Sequence, residues 1–113
     1  MKEEKNISQF RKGVLELCIL TILSKQDAYV SDLIESLKES KLIVVEGTMY
    51  PLLMRLKNDG FLTYQWVESK SGPPRKYYRI SESGMDYLSQ LENAWEAMTK
   101  TVNEIKNKNN NTI

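Results

Sequence analysis

The chain has 113 residues, which is enough for one domain with a single hydrophobic core. Hydrophobic residues make up 41% and charged residues 27% of the sequence, proportions that exclude a largely disordered chain. The 16 basic and 15 acidic residues give a formal net charge of +1, which excludes a general polycation. Residues 1–8 are charged and polar, and we expect them to form a flexible leader.

A first helix is predicted from Phe10 to Leu23, and it is apolar on two faces. One face carries Phe10, Val14, Leu17 and Thr21, and the other carries Leu15, Ile19, Ile22 and Leu23. A helix with two apolar faces is covered on two sides. Either it contacts both its own domain and a second copy of the chain, or it lies at the centre of a monomer core. Cys18, within this helix, is interpreted as a small buried hydrophobe.

Two shorter amphipathic helices are predicted after a break at residues 25–29. The second helix carries apolar residues at the i, i+3, i+4 and i+7 positions: Val30, Leu33, Ile34 and Leu37. The third helix repeats this spacing with Met49, Leu52, Leu53 and Leu56. Gly60 is predicted to follow its C-cap, and Pro51 places its first residue a few positions upstream.

A β-hairpin is predicted next. Residues 61–67 and 75–80 are rich in aromatic and β-branched side chains, whereas residues 68–74 have the composition of a loop. Tyr77 and Tyr78 are neighbours in the second strand, so one of them points into the core, and the pattern does not decide which. Ser81 is predicted to cap a last helix over residues 82–106.

The last helix carries an apolar seam with alternating spacings of three and four residues: Leu88, Leu91, Trp95, Met98, Val102 and Ile105. Monomeric proteins avoid exposing such a long apolar stripe. We therefore predict that the helix forms a homodimer interface against the first helix of a second copy. The predicted interface residues are Leu88, Leu91, Trp95, Met98 and Val102. Residues 107–113 are expected to form a disordered tail.

The order helix, helix, helix, hairpin, helix predicts a fold that is mainly α with a small β-hairpin. It is typical of a winged helix-turn-helix DNA-binding domain, here residues 9–81, followed by one C-terminal dimerisation helix. Residues 41–81 contain seven basic and three acidic residues, a net charge of +4, and the remainder carries −3. A local positive surface of this kind is what phosphate binding requires.

Three segments resemble the PadR family of bacterial transcriptional regulators. RKGVLELCILTIL (11–23) is similar to the opening helix of that family, and EGTMYPLLMRLKNDGFL (46–62) resembles its recognition-helix signature. GPPRKYYRIS (72–81) resembles its wing. The single final helix resembles the small-protein subgroup, which includes repressors of multidrug transporters.

This resemblance implies DNA contact by Thr48, Tyr50 and Pro51, near the start of the third helix. The other predicted DNA-binding residues are cations of the same helix and of the wing: Arg55, Lys57, Lys70, Arg75 and Lys76. Two alternatives stay open, since Tyr50 could pack under the wing and Arg55 could pair with an acidic residue such as Glu46 or Asp59.

The chain departs from the family pattern in two places. Ser31 and Asp32 replace a Gly-Tyr pair common at the start of the second helix, and Asp32 would repel phosphate if it faced DNA. Val45 stands where a Ser or Asn cap is common. These departures affect the expected operator preference rather than the fold.

We predict a cytoplasmic, sequence-specific DNA-binding regulator that acts as a homodimeric repressor on a pseudo-palindromic operator. By resemblance, two Trp95 side chains flank a small aromatic or cationic inducer between the subunits; alternatively, Trp95 only fills the interface. The alternative function is a winged-helix protein- or ligand-binding module without strong DNA specificity. With no His and one Cys, an enzyme, a metal site or a cofactor is not expected, and no apolar run is long enough to span a membrane.

Overall fold

The structure is a computed structural model that describes residues 2–108, with side chains described for residues 10, 11 and 14–108. Its elements are α1 (Lys2–Lys25), α2 (Val30–Glu39), α3 (Glu46–Asn58), β1 (Leu62–Ser69), β2 (Gly72–Ile80) and α4 (Glu82–Lys108). The predicted element order and the mainly α fold with one hairpin are therefore confirmed.

Both ends of the described chain are more helical than the sequence predicted. α1 begins at Lys2, so residues 2–8 continue the first helix instead of forming a separate leader. At the other end, residues 107 and 108 belong to α4. The rest of the expected disordered tail, residues 109–113, lies outside the described residues.

Helices α2 and α3 end in the same backbone motif. After α3, the N–H of Gly60 donates to the carbonyl of Lys57 at 3.0 Å, and the N–H of Phe61 donates to that of Leu56 at 2.9 Å. Gly60 has a φ of 84°, as this motif requires, so its predicted position after the C-cap is confirmed. After α2 the corresponding left-handed residue is Lys41, with a φ of 68°.

The hairpin of β1 and β2, called the wing below, has longer strands than predicted. Leu62 pairs with Ile80 at its base and Ser69 with Gly72 at its tip, and Lys70 and Ser71 form the turn. Most of the expected loop at 68–74 is therefore strand, with an irregularity between Val67 and Ser69. The sequence missed this extension because consecutive prolines are unusual in strands, and both occur here in a two-stranded ribbon.

Of the two neighbouring tyrosines in β2, Tyr78 is the one that points into the core. It is buried, and its backbone pairs with Ala28, which adds a one-residue third strand to the sheet. The N–H of Ala28 donates to Tyr78 at 3.1 Å, and the N–H of Tyr78 donates to Ala28 at 2.8 Å. Tyr77 faces the other side and packs on Tyr29, with ring centres 4.7 Å apart.

Ser81 caps α4 as predicted. Its Oγ accepts a hydrogen bond from the N–H of Gly84 at 3.0 Å and donates to the carbonyl of Gly60 at 2.6 Å. Gly84 lies so close to the chain after α3 that an added Cβ would be 2.1 Å from the carbonyl oxygen of Phe61. The start of α4 is thereby fixed against the end of α3.

The core lies among α1, α2, α3 and the base of the wing. Its buried apolar residues are Leu15, Ile19, Leu20, Leu23, Ala28, Val30, Leu33, Leu37, Val44, Met49, Leu53, Leu56, Leu62, Tyr78 and Leu88. Leu88 is only 4% exposed within its own chain, so it is a core residue here, and its predicted place in a dimer interface stays a prediction. No helix among residues 2–108 has a span that is both long and apolar enough to cross a membrane.

Candidate nucleic-acid interface

A cleft of about 440 Å³ opens where α2 begins, α3 begins and the wing leans over both. It is lined by Tyr29, Val30, Ser31, Glu46, Tyr50, Trp66, Pro73, Pro74, Arg75 and Lys76. Tyr50, Arg75 and Lys76 are predicted DNA-binding residues. The fold brings them to one cleft, although Tyr50 and Lys76 are 26 positions apart in the sequence. Aromatic rings and cations in one groove are suited to the sugars and phosphates of a nucleic acid.

Helix α3 has one buried line of residues, one outermost line and two flanks. Met49, Leu53 and Leu56 are buried, so by helical periodicity the exposed Pro51 and Met54 lie on the opposite, outermost line. On the flank towards the wing are Tyr50, which lines the cleft, and Lys57, whose Nζ is 5.9 Å from the centre of the Tyr64 ring.

The flank of α3 towards α1 carries the other two predicted residues. Arg55 pairs with Glu16 of α1, at 3.3 Å between Nη2 and Oε1. An ion pair was one of the two alternatives for Arg55, but the acid is neither Glu46 nor Asp59. Thr48 is half-buried beside Arg11 and Leu15, outside the cleft.

The wing supplies three cations in different surroundings. Lys70 is exposed in the turn at the tip. Lys76 lies over two rings of β1, with Nζ 4.6 Å from the centre of Tyr64 and 5.4 Å from that of Trp66. Arg75 emerges from the opposite face of β2 and reaches the start of α2.

Arg75 is held at the start of α2 by two uncharged groups. Its Nη2 donates a hydrogen bond to the Oγ of Ser31 at 2.7 Å, and its Cζ is 3.9 Å from the centre of the Tyr29 ring. By contrast, Arg79 at the base of the wing pairs with Asp27, at 3.1 Å between Nε and Oδ2.

The departures at Ser31 and Asp32 have local explanations in the structure. The carboxylate of Asp32 accepts a hydrogen bond from the backbone N–H of Tyr29 at 3.0 Å, so it caps α2, where a negative charge is favourable. Asp32 does not line the cleft described above. Val45 precedes α3 without a side-chain cap, as its apolar side chain dictates.

The cleft residues that the sequence analysis did not assign to DNA binding include Tyr29, Ser31 and Trp66. Trp66 is 61% exposed, although it is the largest side chain of the wing. The sequence could have indicated this exposure. Trp66 lies two positions after Tyr64 in β1, towards the tip of the hairpin, where a large aromatic side chain has no core to pack into. Tyr29 and Ser31 carried no such signal, since their partner is more than 40 positions away.

A second groove, of about 440 Å³, lies between α1 and α4. It is lined by Phe10, Val14, Leu17, Leu91, Ala94, Trp95, Met98, Thr99, Val102 and Asn103. Leu91 is half-buried against the core, but Trp95, Met98 and Val102 are exposed, and Phe10 is 78% exposed. The two apolar faces of α1 therefore have different surroundings. The face with Leu15 and Ile19 packs in the core, and the face with Phe10 and Val14 borders this open groove.

An adjoining groove of about 730 Å³ brings Cys18 close to α4. Its lining includes Cys18, Trp95 and the carboxylates Glu92 and Glu96. Cys18 is half-buried, and burial raises the pKa of its thiol. A thiol with a raised pKa is protonated at neutral pH and a poor nucleophile, in keeping with its interpretation as a small hydrophobe.

Comparison with known proteins gives one consistent result. A family model described as "Transcriptional regulator PadR-like family" matches residues 19–90. A PadR-like transcription factor from Bacteroides fragilis is 56% identical, with 89% of this chain and 98% of that chain covered and a TM-score of 0.77. A PadR family transcriptional regulator from Eggerthella lenta is 30% identical, with 90% and 89% covered and a TM-score of 0.83.

A third solved structure, a PadR-like transcriptional regulator from Bacillus cereus, is 37% identical over 86% of this chain and 95% of its own, with a TM-score of 0.74. The family match covers the end of α1, all of α2, α3 and the wing, and the first part of α4, so it includes every residue that lines the cleft. The chain belongs to the PadR-like family of transcriptional regulators, which are DNA-binding proteins and not enzymes.

Proposed function

We propose that the protein is a homodimeric repressor, acting in the cytoplasm, that binds a pseudo-palindromic operator through the cleft between α2, α3 and the wing. The observation that carries this proposal is the charge of the cleft, which contains two cations, Arg75 and Lys76, and one carboxylate, Glu46. Arg75 and Lys76 enter it from the wing, and among the described residues neither has a carboxylate within 4.0 Å. Their charges therefore remain available for phosphate groups.

Base contacts are assigned to the outer line of α3 and its wing flank. Pro51 and Met54 present apolar surface to the thymine methyl group, and the Tyr50 hydroxyl hydrogen-bonds a base edge or a phosphate. Lys57, Lys70, Arg75 and Lys76 contact the DNA backbone, where they contribute affinity more than selectivity. Thr48 adds a hydroxyl at the edge of the interface, and Arg55 serves to hold α3 against α1.

The homodimer is proposed from the groove between α1 and α4. Phe10, Trp95, Met98 and Val102 border it as exposed apolar residues, and a second copy of the same groove covers them by two-fold symmetry. In this arrangement Trp95, Met98 and Val102 form the interface, and Leu91 supports it from the core side.

Footprinting on the DNA upstream of the gene and of its neighbours tests the operator proposal. Two-fold symmetry predicts an inverted repeat with half-sites about 10 base pairs apart, centre to centre, or a multiple of that spacing. A reporter downstream of the same DNA should be repressed by the protein. A single asymmetric half-site, or binding with equal affinity to random duplex, would favour a module without DNA specificity.

An inducer site is proposed at Trp95. The ring borders both grooves, and the carboxylates of Glu92 and Glu96 lie on the same stretch of α4. A flat ring next to carboxylates suits a planar aromatic cation, through stacking and charge. Binding of such a compound in the dimer interface would alter the spacing of the two clefts and release the operator.

Trp95 fluorescence tests the inducer site. The only other tryptophan is Trp66, so a Trp66→Phe variant isolates the signal. Planar aromatic cations should quench the fluorescence and lower operator affinity in parallel. If a broad panel of such compounds changes neither quantity, Trp95 is an interface residue only.

A further inference from the structure

The contact between Arg75 and the start of α2 differs from the other arginine contacts of the DNA-binding domain. Arg55 and Arg79 each pair with a carboxylate, Glu16 and Asp27 respectively. Arg75 is held by a hydroxyl and a ring instead. A carboxylate partner cancels the charge of an arginine towards a distant phosphate, whereas a neutral partner leaves it in place.

The set of Tyr29, Ser31 and Arg75, called the Arg75 clasp here, has a fixed geometry. The Tyr29 ring also packs on Tyr77, with ring centres 4.7 Å apart and ring planes tilted by 50°. Asp32 holds the backbone N–H of Tyr29 at 3.0 Å, which fixes the start of α2. The guanidinium of Arg75, 3.9 Å from the ring centre, is thereby restrained in its orientation.

One edge of the guanidinium remains free for another partner. A guanidinium carries five N–H donors in a planar fork, and the bond to Ser31 uses one of them. Arg75 is exposed and lines the cleft, so its remaining donors are accessible from the site proposed for DNA. Two parallel N–H donors match two oxygens of one phosphate group, which a lysine ammonium cannot do.

We propose that Tyr29 and Ser31 are positioning residues that hold Arg75 ready to bind one backbone phosphate of the operator bidentately. The inference rests on the proposed function, since it names how one residue of that interface works. Arg75 is then a preorganised anchor between α2 and the wing. Lys70, at the tip, acts as an ordinary mobile charge.

Variants at the three clasp positions test this on the full-length protein and a duplex that contains the operator. Arg75→Lys keeps the charge but loses the fork, and Tyr29→Leu or Ser31→Ala removes one support. Each should weaken operator binding about fivefold, because the side chain at position 75 is then no longer held in place and its ordering on binding costs free energy. The salt dependence of binding should stay as in the wild type for all three, because the number of charges is unchanged.

Two control variants separate positioning from packing. Tyr29→Phe keeps the ring and should bind as the wild type, since the stacking on Arg75 is preserved. Lys70→Arg should have little effect, because no clasp acts at the tip. Ser31 is exposed, so Ser31→Ala tests the clasp even if Tyr29→Leu destabilises the fold.

A double-mutant cycle gives the decisive result. Tyr29→Leu should weaken binding in the wild type but not in the Arg75→Lys background, because its effect passes through the guanidinium. Equal effects in both backgrounds, or Arg75→Lys binding as tightly as the wild type, would overturn the clasp. A wild-type protein that binds no duplex DNA would instead overturn the proposed function, so the two failures are distinct.

Discussion

At the scale of single residues, the environment decides what each side chain contributes. Arg55, Arg75 and Arg79 are chemically identical, yet two are neutralised by carboxylates and the third is held by neutral groups. The net charge of +4 over residues 41–81 therefore overstates the charge available to DNA. Glu16 and Asp27, which lie outside that segment, remove two of its positive charges.

Lys41 has a backbone conformation that is strained for any residue with a Cβ atom. It takes a left-handed φ of 68° after α2, in a motif that Gly60 fills after α3. Lys41→Gly should raise the free energy of unfolding by about 0.5–1 kcal/mol, because relief of the left-handed strain exceeds the entropy cost of glycine. Gly60→Ala should lower it by about 1 kcal/mol. Urea unfolding at one fixed protein concentration measures both, and a loss of stability in Lys41→Gly would contradict the strain.

Gly84 is required by close packing rather than by its backbone angles. A Cβ there would lie 2.1 Å from the Phe61 carbonyl oxygen and 2.7 Å from Cγ1 of Ile80. Gly84→Ala should therefore lower the free energy of unfolding by about 2 kcal/mol, as overpacking typically does. Gly47→Ala, where an added Cβ meets nothing within 4 Å, is the matched helical control and should not destabilise the protein. Equal stability of the two variants would show that α4 moves freely against the end of α3.

At the scale of elements, the wing has two functional zones. Its base joins the core through Leu62, Tyr78 and the backbone pairing with Ala28. Its outer half carries Lys70, Arg75 and Lys76 beside the exposed Trp66. The base anchors the wing to the core, and the outer half brings Arg75 and Lys76 to the cleft at the starts of α2 and α3.

The salt dependence of DNA binding should separate the two zones. Replacing Arg75 and Lys76 together by Ala should flatten the slope of log K against log salt by about 2, since each phosphate contact contributes roughly one unit. Replacing the ion pair at the base by Asp27→Asn with Arg79→Gln should leave the slope unchanged, because those charges already cancel. An unchanged slope in the first variant with lost discrimination between sequences would show that the wing reads bases.

The elements that local patterns specify could be predicted, and those that depend on distant contacts could not. The i, i+3, i+4 spacing of α2 and α3, the glycine after α3 and the Ser81 cap are encoded within a few residues, and the structure confirms them. The partner of Arg55, the place of Leu88 in the core and the contact of Arg75 with Ser31 depend on how elements pack. No pattern within a single helix or strand indicates such packing, which is why these features became known only from the fold.

At the scale of the whole molecule, the chain is elongated. Its radius of gyration is 17.1 Å, against about 13 Å for a compact domain of this length. The long dimension of 66 Å is consistent with the 27 residues of α4, which span about 40 Å. From residue 92 to 108 every side chain of α4 is exposed, so this half of the helix is at most partly covered by its own domain.

Two substitutions on α4 should separate dimerisation from folding. Met98, 59% exposed, lies on the open groove, so Met98→Glu should raise the dimer dissociation constant by at least tenfold and leave the helix content unchanged. Leu88→Ala opens a cavity in the chain's own core and should lower the free energy of unfolding by about 2–4 kcal/mol. Sedimentation over a range of concentrations and thermal unfolding measure the two effects. A Met98→Glu protein that dimerises as the wild type would place the interface elsewhere.

The mass of the protein–operator complex in sedimentation equilibrium tests the proposed homodimeric repressor most directly. Two clefts joined through α1 and α4 require two chains on each operator duplex, with the free protein also dimeric. Operator affinity should fall together with dimer stability in Met98→Glu, because one half-site supplies too few contacts. A free monomer that occupies the operator as one chain per duplex at full affinity would contradict the proposal.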